Sequence, residues 1–121
     1  MKKPISPRMH GVLDYATAAA TAAAPEVLGF PRSAALAGRA LAGGYTGLSA
    51  LTNYPLSVKR VVPFRAHGAM EAVLGLALPA LPWMLGFAKN RAARNFFLGL
   101  TAVTFVVAAL TDWREPSGTA S

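Results

Sequence analysis

The chain has no cysteine, which removes disulfides, thiol nucleophiles and thiolate metal sites from consideration. Acidic residues are scarce as well, with five Asp and Glu against twelve Lys and Arg. Charge of either sign makes up only 14% of the residues while hydrophobic ones reach 54%, and mean hydropathy is +0.40. A soluble four-helix protein keeps a polar stripe on every helix. Here the stripes are missing, and Asn95 to Thr111 carries no charge at all. The serines lack a Gly-x-Ser-x-Gly setting, so a hydrolase elbow is not indicated. The glycines of Gly38 to Gly47 match neither phosphate-binding pattern. The formal charge of +7 comes from short basic clusters at the ends of apolar segments, which is the signature of membrane topology and not of a nucleic-acid surface.

The chain does contain a duplication. Arg8-Met9-His10-Gly11-Val12-Leu13-Asp14 aligns with Arg65-Ala66-His67-Gly68-Ala69-Met70-Glu71, each residue 57 positions after its counterpart. Pro25-Glu26-Val27-Leu28-Gly29-Phe30 aligns at the same spacing with Pro82-Trp83-Met84-Leu85-Gly86-Phe87. Arg32 to Tyr54 spans as many residues as Arg91 to Trp113, and the two end in Leu-Thr-Asn-Tyr and Leu-Thr-Asp-Trp. The expected fold is all-α: a single membrane domain over 1–121, made of two tandem helical hairpins, 8–54 and 65–113, with a linker at 55–64 and a loose tail at 114–121.

Four spans are expected, over about His10 to Leu28, Ser33 to Thr52, Gly68 to Leu85 and Ala93 to Thr111. Pro25 and Gly29 are read as stopping the first. Pro79 is read as kinking the third, with Trp83 at its interfacial exit. In the second, Ala34, Gly38 and Ala42, with Gly43 and Gly47 beside them, form rows of small residues suited to close helix packing. Four spans put both termini on one side, where seven of the twelve Lys and Arg also fall, so the expected orientation has both termini in the cytoplasm. Hairpins repeated in the same direction are related by an axis along the membrane normal.

That topology gathers His10, Asp14, Asn53, His67, Glu71 and Asp112 at one membrane face, with Arg8 and Arg65 just outside. Each histidine lies four residues before an acid and so shares a helix face with it. Three readings of this cluster compete: ion pairs and hydrogen bonds that only tie the helix ends together; a metal or haem site; and a proton or ion relay. Nothing in the sequence requires a cofactor.

At the Pro-x-x-Leu-Gly-Phe exits and at Leu110-Thr111-Asp112-Trp113 the chain resembles the SPW-repeat family of small bacterial membrane proteins, which carry a Ser-Pro-Trp-x-Leu-Gly-Phe-like motif in each of two helix pairs. The second copy here matches from Pro82 through Trp83, Leu85, Gly86 and Phe87. The first keeps Pro25, Leu28, Gly29 and Phe30, with Ala24 and Glu26 where serine and tryptophan would stand. The resemblance runs from Arg8 to Trp113 and implies four spans in a bacterial inner membrane, with no reaction attached. The expectation is a non-enzymatic structural or accessory component packing in the bilayer with its own copies or a larger membrane complex. The alternative is metal, haem or ion handling by the His10, Asp14, His67, Glu71 and Asp112 cluster.

Overall fold

The computed structural model describes residues 3–114. Met1, Lys2 and the expected tail beyond Arg114 lie outside the described residues. The fold is all-helical, with α1 at Pro7–Val27, α2 at Arg32–Ala50, α3 at Phe64–Ala77, a 3-10 turn at Leu78–Ala80, the short α4 at Leu81–Met84, and α5 at Arg91–Leu110. Among the described residues there is no strand, only isolated bridges between Ile5 and Thr111 and between Thr52 and Val62. Among the described residues one helix, Arg91–Leu110, is long and apolar enough by itself to cross a membrane.

Local chemistry sets the helix ends. Ser6 caps α1 by accepting the Met9 amide at 3.2 Å, and Asn90 caps α5 by accepting that of Ala93 at 3.0 Å. Pro25 does not stop α1, which continues to Val27. Its carbonyl instead accepts the Phe30 amide at 2.9 Å, while Gly29 takes φ +64°. The second copy repeats this closure, with Phe87 donating to Pro82 at 2.8 Å and Gly86 at φ +79°. The Pro-x-x-Leu-Gly-Phe motif is thus a helix terminator: glycine supplies the left-handed residue and the proline carbonyl receives the returning chain. Phe30 and Phe87 then turn inward and pack with Phe96 and Phe97 at this end of the bundle. The third helical stretch breaks at Leu78–Ala80, one residue before Pro79, because that ring cannot continue the hydrogen-bond ladder. Trp83 is 60% exposed beyond the break.

The small-residue rows divide. Ala34 and Ala42 are buried, and Gly38 faces the Pro25 ring, which would lie 3.3 Å from an added Cβ. Gly43 and Gly47 lie on the exposed face of α2 and meet nothing within 4 Å, so they do not belong to this packing seam. The four-residue period drifts around a helix of 3.6 residues per turn, and only one of the two rows can face α1. Arg39 pairs with Glu26 at 3.8 Å on the surface.

At the opposite end of the bundle the two repeats interlock reciprocally. Ile5 donates to Leu110 and receives Asp112, while Val62 donates to Leu51 and receives Asn53, all between 2.7 and 3.1 Å. Each entry segment is therefore laced to the exit of the other hairpin. This lacing brings the start of α1 to the end of α5 and the start of α3 to the end of α2.

Candidate metal centre

Where these four helix ends converge, His10, Asp14, His67 and Glu71 are all buried, and one ligand atom from each lies within 4.8 Å of the others. His67 Nε2 is 2.8 Å from Asp14 Oδ2 and 2.9 Å from Glu71 Oε1. His10 Nε2 is 3.2 Å from Glu71 Oε2 and 3.4 Å from Asp14 Oδ1. Each imidazole thus bridges its own acid and that of the other repeat.

The outer ring nitrogens define the inner ones. Thr111 Oγ1 donates to the Val107 carbonyl at 2.6 Å, and Thr52 Oγ1 to that of Leu48 at 2.5 Å. A hydroxyl has one proton, so toward the imidazoles both threonines can only accept. They lie 2.9 Å from His10 Nδ1 and 2.7 Å from His67 Nδ1. Both Nδ1 atoms therefore carry hydrogen, and both Nε2 atoms turn toward the carboxylates. His67 Nε2 makes a hydrogen bond with Glu71, whereas His10 Nε2, fully buried, stands near two carboxylates in line with neither and makes none. Lone pairs facing carboxylate oxygens need positive charge between them, which a proton or a metal cation can supply.

The donor set fits a small divalent cation. Four ligands at about 2.0 Å around tetrahedral zinc stand about 3.3 Å apart, so the ligand atoms, which reach 4.8 Å apart, would draw inward around the ion, and each His has an acceptor fixing its other nitrogen. A porphyrin does not fit, since carboxylate oxygens already occupy the space before both Nε2 atoms. Ser49 and Tyr54 direct hydroxyls to Asp14 Oδ2 at 3.3 and 3.4 Å. Above the site Phe64 stacks on Trp113 at 4.8 Å between ring centres, and Trp113 lies 4.9 Å from the His10 ring. With the buried Tyr54, these rings cap the centre on the side of the chain entries.

Residues 8–113 match the model of the SPW repeat domain. The chain belongs to the SPW repeat family. No curated protein and no solved structure matches it.

Within the SPW repeats, not all the expected polar residues converge. Asp112 turns away to bind Arg114 at 2.8 Å, and that hydrogen bond raises the guanidinium pKa above its ordinary value. Asn53 is half-buried and engages Val62 through its backbone. Arg8 is exposed, and Arg65, also exposed, donates from Nε to the Trp113 carbonyl at 3.3 Å. α2 ends at Ala50, two residues before Thr52, and α5 at Leu110, one residue before Thr111. The chain then enters the two bridges, where Thr52 and Thr111 are fully buried and the residues after them, Asn53 and Asp112, are half-buried. Thr52, Thr111, Ser49 and Tyr54 were not singled out by sequence reasoning. The recurrence of Leu-Thr before each exit was the available signal.

Thr52→Val keeps side-chain volume but removes the acceptor for His67 Nδ1–H. We expect metal affinity to fall about 10–100-fold, the usual cost of losing an outer partner of a ligating histidine, with helix content unchanged. Competition titration against a chelator measures it, and an unchanged affinity would mean that Thr52 does not orient the ring.

Proposed function

We propose that this SPW repeat protein is a four-span membrane protein whose two hairpins together hold one divalent transition-metal ion at His10, Asp14, His67 and Glu71. The observation that carries this reading is the convergence of four buried donors, one ligand atom each from His10, Asp14, His67 and Glu71 within 4.8 Å, with His10 Nε2 at 3.2 and 3.4 Å from two carboxylates. One divalent cation also balances two carboxylates, and an uncompensated buried charge costs several kcal/mol.

The membrane setting is supported by what is inside and what is outside. His10, His67, Asp14, Glu71, Thr52 and Thr111 are buried, whereas Val73, Leu76 and Met84 are 70–74% exposed and Val27 is 77% exposed. Lipid suits that inversion, and so would a second copy or a larger complex. With both termini cytoplasmic, the metal lies near the cytoplasmic face. The cluster gives the metal-binding role more specific support than a purely accessory role has.

Purified protein titrated with Zn2+ is expected to take up one ion per chain, with affinity weakening as pH falls because each imidazole must shed its Nε2 proton to bind. His10→Ala should abolish this uptake. Zn2+ binding of equal strength in His10→Ala, or none in the parent protein, would leave the cluster as a structural ion-pair ring.

A further inference from the structure

Two seams separate the hairpins, one between α1 and α5 and one between α2 and the α3–α4 stretch, and the duplication makes them counterparts. They have diverged in chemistry. The α2–α3 seam holds a cavity of about 440 Å³ walled by Leu41, Leu48, Met70, Leu74 and Leu81, with Glu71 at its edge. The α1–α5 seam holds two adjoining cavities. One of about 20 Å³ touches Asp14, Glu71, Thr17, Tyr45 and Thr104, and one of about 310 Å³, walled also by Phe96, Leu100 and Val103, continues past Thr17 and Thr21 to Asn95. Thr17 and Thr21 stand where the other repeat has Leu74 and Leu78.

Two buried hydroxyls border the α1–α5 seam without a well-aligned hydrogen bond to the protein. Thr21 Oγ1 is completely buried, and the Tyr45 hydroxyl, on a residue 5% exposed, faces Thr104 without a hydrogen bond of good geometry. Buried polar groups of this kind are normally satisfied by water, and about 20 Å³ is room for one molecule beside the carboxylates. Thr21 lies two helical turns, about 10 Å, beyond Asp14. Asn95 is one turn into α5, whose other end carries Thr111 against His10. The aromatic cap of Tyr54, Phe64 and Trp113 covers the site on the histidine side.

We propose that the α1–α5 seam is a hydrated path by which a divalent cation reaches Asp14 and Glu71 from the end of the bundle opposite the histidines. The proposal rests on the metal reading above for its cargo, but the path itself is tested without metal. The protein lacks cysteine, so Thr17→Cys, Thr21→Cys, Leu74→Cys and Leu78→Cys each carry a single thiol. In proteoliposomes they are treated with a cationic methanethiosulfonate, which reacts with the thiolate and so requires water at the sulfur. Thr21 and Leu78 are equally buried at 0%, and Thr17 and Leu74 are both half-buried, so burial does not bias either comparison. The polar-seam thiols are expected to react at least about tenfold faster than their counterparts, because an apolar setting keeps a thiol protonated. Equal rates, or faster reaction at Leu74→Cys and Leu78→Cys, would overturn the path. In the otherwise intact protein, Thr21→Val should slow Zn2+ uptake severalfold while leaving one site per chain, and an unchanged uptake rate would overturn the role in delivery. A protein that binds no Zn2+ would defeat the metal reading, whereas the thiol rates would still decide whether the seam is hydrated.

Discussion

His67→Ala is expected to abolish Zn2+ binding and to lower unfolding stability by about 3–5 kcal/mol, the range for stripping one partner from a buried charge pair. His67 makes the two shortest contacts in the centre, 2.8 Å to Asp14 and 2.9 Å to Glu71, and its loss leaves two buried carboxylates facing each other. Repulsion and lost hydrogen bonding act together here, so the effect exceeds that of an ordinary cavity of similar size. Adding Asp14→Asn to His67→Ala should restore part of the stability by removing a stranded charge, yet leave Zn2+ binding absent. Denaturant titration and metal content of the three proteins measure both quantities. A single variant as stable as the parent, or still holding one Zn2+, would show that the cluster is not the organising centre of the bundle.

Gly68→Ala should destabilise the protein and loosen the cap, whereas Gly11→Ala should be close to neutral, although the two glycines occupy equivalent places in the repeats. A Cβ at Gly68 would stand 2.7, 2.9 and 3.0 Å from carbons of the Trp113 ring. That indole cannot yield easily, since its Nε1 donates to the Ala108 carbonyl at 2.9 Å and its faces meet Phe64 and His10. Overpacking of this kind costs about 1–3 kcal/mol, against a gain of about 1 kcal/mol from replacing glycine in a helix. At Gly11 the nearest atoms are Leu56 Cδ1 at 3.2 Å and the Tyr54 ring at 3.3 Å, and a leucine tip can rotate aside. Thermal unfolding and Trp113 emission, read in a Trp83→Phe background, test the pair. A Gly68→Ala protein at least as stable as its parent, with unchanged emission, would mean that the indole is not pinned over the site.

Much of the centre was legible because duplication reduces a tertiary question to one of direction. Two hairpins running the same way put both His-x-x-x-acid entries at one end, whatever the packing details, and a shared helix face follows from a spacing of four. Other positions were hidden by rotations of a single residue. Asn53 and Asp112 have the chemistry of ligands but follow helices that end two residues and one residue, respectively, before the ends their apolar pattern suggests, and an extended residue turns its side chain to the other side. Gly43 and Gly47 satisfy a packing spacing, yet α2 has more than one row of small residues and the row containing Gly38 faces α1. Pro25 reads as a helix stop and acts as the acceptor within one.

The amino-acid order alone determined an all-helical chain of two like-directed hairpins with imidazoles and acids at a common end, because periodicity, terminators and repeat spacing are properties of the chain itself. Only the tertiary structure decided that four of those side chains form one buried centre, that Thr52 and Thr111 set the ring nitrogens, and that hydroxyls border the carboxylates along one inter-hairpin seam while leucines line its counterpart. Contacts between helices depend on angular differences of a fraction of a turn, and a linear pattern does not carry that angle once two faces of a helix are equally small or equally apolar.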